Sequence, residues 1–117
     1  MEPAPIKEQI TVADLDRVDI RVGTIEAVED IPGSEKLVRL LVDFGGHKRT
    51  IVAGLKKERA DPAEVQGRQA LFVVNLEARK IHGVLSQGML FDIGYADGIR
   101  PVLAMPESPV PNGSRTG

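Results

Sequence analysis

From Val73 to Leu90 the chain reads VVNLEARKIHGVLSQGML, and Asn75, Arg79, Lys80, His82, Ser86 and Gln87 crowd into thirteen of those positions beside Gly83 and Gly88. A core strand has no need of so many polar groups. Arginine and lysine are pure donors carrying charge, asparagine offers a donor and an acceptor, and a serine hydroxyl does both. Such a set binds oxygen-rich, anionic surfaces by charge-assisted hydrogen bonds. The two glycines let the chain turn and approach a neighbour closely.

The same stretch is poorly equipped for catalysis. His47 and His82 stand alone, without partners at metal-ligand spacing. No paired carboxylates, nucleophile elbow, phosphate-binding loop or dinucleotide-binding glycine motif is present. Ser86 and His82 lie four residues apart around a glycine, which gives no reason for a triad. The chain has no cysteine, which excludes disulfides, zinc–thiolate sites and thiol nucleophiles. The expectation is a binding protein rather than an enzyme, with no cofactor and no metal site.

The elements that position these residues follow from the rest of the chain. Its 117 residues suffice for one domain with one modest core. No apolar run reaches the roughly 18–20 residues of a membrane span, and MEPAPIKEQI lacks the pattern of a signal peptide. Residues 1–10 are expected to form a flexible arm and 11–117 the domain. In TVAD, Thr11 and Asp14 have the spacing of a capping box, predicting one helical turn that ends near Arg17. VDIRVGTIEAVED alternates at Val18, Ile20 and Val22, then shifts parity after Gly23, which predicts a bulge there in a long, bent strand. KLVRLLVDF and RTIVAG are strands joined by a glycine turn, with Arg39 facing outward. Asp61, Pro62 and Gly67 frame a short helix. RQALFVVNL is the fourth strand, and GMLFDIG the fifth, with Met89, Phe91 and Ile93 on one face. The fold class is all-β: a five-stranded OB-fold barrel with short helices and extra C-terminal strands.

Charge is unevenly spread. Residues 1–35 carry three basic and nine acidic side chains, whereas residues 36–82 carry ten basic and five acidic. A basic stretch inside an acidic chain attracts phosphate to one face. Lys36 and Arg39 begin the second strand, Lys48 and Arg49 the third, and Arg79 and Lys80 follow the fourth, all near the usual binding face of this barrel type. Lys56 and Lys57 sit in a polar connector without comparable neutral partners. The only aromatic residues are Phe44, Phe72, Phe91 and Tyr95, and the phenylalanines fall in or beside strands. Binders of unstructured single strands stack bases on exposed rings. A nucleic-acid ligand here is therefore expected to be read through phosphate geometry and fold.

These stretches carry a resemblance. VDIRVGTI at 18–25, GSEKL at 33–37, RTIVAG at 49–54 and the segment at 73–90 resemble the stand-alone tRNA-binding domain family. It includes the C-terminal domain of many methionyl-tRNA synthetases, the small dimeric tRNA-binding proteins and the secretion-chaperone-like proteins. RTIVAG and SQGML are most similar to the synthetase-related members, whereas the ending PVPNGSRTG resembles the chaperone-like branch. The resemblance implies a cytoplasmic homodimer that binds the outer corner of folded tRNA and can assist methionyl-tRNA synthetase in trans. By motif position, Asn75, Arg79, Lys80, Ser86 and Met89 would face tRNA or shape its site. Lys36, Arg39 and Arg49 would join them at its phosphates. The alternative is a chaperone-like protein binding extended peptides in the same groove.

Overall fold

Alternating apolar residues in four consecutive runs build the barrel wall. The structure, a computed structural model, describes all 117 residues. Strands β1 (Ile20–Asp30), β2 (Val38–Asp43), β3 (Lys48–Ala53), β4 (Gln69–Val73) and β7 (Met89–Leu90) form one antiparallel sheet in the order β3-β2-β1-β4-β7. Long β1 pairs with β4 through its first half and with β2 through its second. The remaining gap, between β3 and the start of β7, is bridged by residues 86 and 87. Gln87 donates its N–H to the Thr50 carbonyl at 2.8 Å, and the Val52 N–H donates to the Ser86 hydroxyl at 3.0 Å. The result is the nearly closed five-stranded OB-fold barrel expected from the sequence.

The core fills the barrel with Ile25, Leu40, Val42, Ile51 and Phe72, all fully buried. Phe44 meets Phe72 edge to face, at a centroid distance of 5.5 Å. One end is closed by a single turn of 3-10 helix, Pro62–Val65, whose Val65 is buried. Asp61 caps it by accepting from the Ala63 N–H at 3.1 Å. The N-terminal helix α1 (Val12–Asp16) carries the expected capping box, with Thr11 and Asp14 exchanging hydrogen bonds of 3.1 Å. Residues 1–10 are exposed and have no regular structure.

Three sequence expectations are corrected. The β1 bulge lies between Ile25 and Ala27, not at Gly23. It forms where β1 leaves β4, and Gly67 there donates its N–H to the Ile25 carbonyl at 2.7 Å. Gly23 serves close packing instead, since a Cβ would stand 2.5 Å from Val42 Cγ1 and 2.8 Å from Phe44 Cε1. Second, the fifth strand is broken. Met89–Leu90 stays with β4, whereas β8 (Asp92–Ile93) turns away to pair with β9 (Val102–Leu103). The C-terminal segment draws it off, with Leu71 donating to Ala104 and Ala104 to Phe91. Third, residues 79–86, for which the glycines predict only a turn, are paired strand. They form a β-hairpin, β5 (Arg79–Ile81) and β6 (Val84–Ser86). His82 (φ 51°) and Gly83 (φ 80°) give it a tight turn with two left-handed residues.

Beyond β9 the proline-rich tail is extended and lies against its own barrel. Gly113 donates to the Val22 carbonyl, Val22 to Ser114 and Thr116 to Ile20, so the tail occupies the edge of β1 that β2 leaves free. Gln69 holds it with both ends of its amide, donating to the Val110 carbonyl and accepting the Val110 N–H.

Candidate nucleic-acid interface

The hairpin sets Arg79 opposite Ser86 and Lys80 opposite Leu85. Directly opposed residues share a face, and successive residues alternate. Arg79 therefore lies on the face that Ser86 turns toward β3, and Lys80 on the outer face. Both are exposed, and neither side chain forms a hydrogen bond or an ion pair. Because β6 is the strand nearer β3, β5 is the ribbon's outer edge, and these two long side chains flank it.

Ser86 and Asn75 do different work. Ser86 is buried, its hydroxyl accepting from the Val52 N–H and donating to the Gly88 carbonyl at 3.2 Å. That hydroxyl is the catch that closes the barrel. The Asn75 amide accepts from the Asp19 N–H at 2.9 Å and donates to the Arg17 carbonyl at 2.6 Å. It ties the end of β4 to the entrance of β1 and fixes the take-off of the hairpin. Gly88 passes so close that a Cβ would lie 2.9 Å from the Val73 carbonyl oxygen.

The other basic candidates separate by partner. Arg39 is exposed and paired with Glu29 at 3.2 Å. Lys48 is paired with Glu26 at 2.9 Å, which holds its ammonium above its ordinary pKa. The outward face of β1–β3 is thus largely charge-balanced by its own carboxylates. Lys36 is exposed and unpaired. It lines a cavity of about 580 Å³ with Leu37, Met89, Phe91 and Tyr95. Glu58 lies in the same cavity, where burial above all, helped by the charge of Asp92, raises its pKa despite Arg59. Met89 is half exposed at the mouth of this cavity rather than in the core. Lys56, which sequence placed in a polar connector without comparable neutral partners, is braced instead. Its ammonium pairs with Asp30 and donates to the carbonyls of Ile31 and Ser34.

Arg49, at the start of β3, donates its Nη1 to the Val74 carbonyl at 2.6 Å and to the Gln87 carbonyl at 3.1 Å, at the end of the barrel opposite the 3-10 helix. Beside it, Asp19 and Arg21 form a two-point ion pair, both contacts 3.0 Å. The bond from Arg21 holds the Asp19 carboxyl below its ordinary range, and Arg115 and Arg49 add to the effect. Sequence reasoning singled out neither Arg21 nor Arg115, because only the tertiary pairing of β1 with the tail brings them together.

No three histidine, cysteine or carboxylate side chains cluster as metal ligands, and no helix is long and apolar enough to cross a membrane. A barrel closed by Ser86, a ribbon bearing unpaired cations and an asparagine-fixed strand end all rest on the motif residues. Residues 20–115 match the family described as "Putative tRNA binding domain". The chain belongs to this family. It is 42% identical over 114 residues to a methionine–tRNA ligase of Porphyromonas gingivalis, covering 97% of this chain but only 16% of the ligase. Among solved structures it is similar to a MetRS-related protein from Pyrococcus horikoshii, with TM-score 0.86, 37% identity and coverage of 95% of this chain and all of that one. It is also similar to the chaperone CsaA of Bacillus anthracis, with TM-score 0.81, 27% identity and coverage of 94% and 100%. The family is a binding domain, and the chain is accordingly not an enzyme.

Proposed function

We propose that this member of the tRNA-binding domain family reads the folded outer corner of tRNA, using phosphate contacts more than bases. The observation that carries the reading is the division among its cations. Arg39 and Lys48 are neutralised by nearby carboxylates, whereas Arg79, Lys80 and Lys36 stand exposed and unpaired around the hairpin and the adjoining cavity. Within this reading Asn75, Ser86 and Arg49 shape the site, Arg39 contributes weakly, and Met89 offers a flexible apolar contact. Tyr95 is the one strongly exposed ring, too little for a stacking track. Total tRNA should outcompete poly-U of equal length, and its affinity should fall steeply with salt. Equal competition by poly-U would overturn the shape-reading argument.

The likeness to part of a methionine–tRNA ligase supports a role as an accessory of methionyl-tRNA synthetase in trans, in the cytoplasm. Exposed Ile93, Ile99, Val102 and Met105 on the C-terminal extension support a homodimer across that surface. Light scattering at micromolar concentration should give twice the chain mass.

A second reading has its own observation. The apolar lining of the cavity beside Lys36, with the likeness to CsaA, suits a chaperone that takes extended peptides. Gel-shift competition between total tRNA and an extended apolar peptide separates the two, since the RNA reading requires that the peptide leave the shift intact.

A further inference from the structure

The barrel end opposite the 3-10 helix holds a cavity of about 250 Å³, lined by Asp19, Arg21, Phe44, His47, Arg49, Val74 and Asn75. It is walled by the first residues of β1 and β3 and by the end of β4, and Arg115 arrives on the tail paired with Arg21. A guanidinium has five N–H donors. Arg49 commits only Nη1, to the Val74 and Gln87 carbonyls, which leaves Nη2 and Nε. Arg21 commits Nε and Nη2 to Asp19 and leaves Nη1. Asn75 uses its amide once to donate, to Arg17, and keeps a second N–H. His47 lies stacked against Phe44, with ring centroids 5.7 Å apart.

One carboxylate cannot neutralise three guanidiniums. We propose that this end of the barrel is a niche for a single phosphate group, held by Arg21, Arg49 and Arg115, with Asp19 occupying the same donors in its absence. The chemistry fits, because planar guanidiniums with parallel free N–H groups match phosphate oxygens better than any other side chain. Arg115 stands directly opposite Arg21 across an antiparallel bridge, which puts the two side chains on one face. The niche is separate from the cavity at Lys36. Arg49 lines the one and Gly54 the other, five residues apart along and just past β3, roughly 17 Å of strand. It rests on the RNA reading only for the source of the phosphate, which is either a backbone phosphate of RNA or a free anion.

The test titrates the intact chain with inorganic phosphate, following backbone amides by NMR, and separately measures total-tRNA binding against salt. Phosphate should shift the amides of Asp19, Arg21, His47 and Asn75. Arg115→Ala should weaken that binding about ten-fold or more, as expected for one charge-assisted contact. Asp19→Asn should tighten it by a similar factor, because it removes the competing anion. This sign is opposite to that of a merely structural ion pair. No shift at these amides, or weakening by Asp19→Asn, overturns the proposal. If Arg115→Ala also lowers the salt slope for tRNA by about one, the source is the RNA backbone. If the phosphate pattern holds and the slope is unchanged, the niche stands and takes free anions. Loss of tRNA binding in the unmodified chain, with the phosphate pattern intact, removes the RNA reading and leaves the niche.

Discussion

Replacing Arg79 and Lys80 together by alanine should weaken tRNA binding strongly and leave the fold intact. In the folded chain neither side chain touches an acceptor or a carboxylate, and both are exposed on the outer strand of the β5–β6 ribbon. Removing them costs the unliganded protein no hydrogen bond, so the stability change should stay within about 0.5 kcal/mol. In the complex each would make one charge-assisted contact, and losing both costs on the order of 2–4 kcal/mol. That is roughly thirty-fold to several hundred-fold in dissociation constant. The salt slope should fall by about 1.4–1.8. The control must remove two charges without touching structure. Lys56 is unsuitable because it braces the β1–β2 loop through Asp30, Ile31 and Ser34. Lys7 and Arg68 are suitable, being exposed and without side-chain partners, Lys7 on the N-terminal arm and Arg68 just before the start of β4, the end that lies away from the hairpin. Filter binding at three salt concentrations, with thermal melts of every variant, checks the expectation. Equal weakening by both doubles, with both folded, would refute the idea of directed contacts and leave only a diffuse field.

Ser86→Ala should lower stability by about 1–3 kcal/mol in a thermal or urea melt, because it strips the buried Val52 N–H of its acceptor. Asp19 has a folded pKa below its ordinary value, so its ion pair stabilises the chain above about pH 4 and is lost as pH falls through the folded value. Asp19→Asn should flatten that acid limb of a stability–pH curve. Glu58 is shifted the other way, so its ionised form opposes folding as pH rises past the ordinary glutamate range. Glu58→Gln should therefore raise the melting temperature at neutral pH and leave it unchanged near pH 3.

The strand runs of the barrel and the helical turn between the third and fourth strands are legible in the sequence, because they depend on neighbours two to four residues apart. Alternating Val38, Leu40 and Val42, the Thr11–Asp14 box and the Asp61–Pro62 cap each express a local rule. The hairpin was not legible, because His-Gly is a weaker turn signal than Asn-Gly and three-residue strands scarcely alternate. Nor was the break after Leu90, which is set by a C-terminal strand that competes for β8. What only tertiary structure decides is which polar side chains remain free. Ser86 lies in the motif but faces β3, Arg39 meets Glu29 across ten residues, and Lys56 is held by a loop more than twenty residues earlier. Arg21 and Arg115 meet only because the tail folds back along β1. Residue type establishes what a group can bind. The partner that folding brings to it, from any distance along the chain, determines whether it is available to do so.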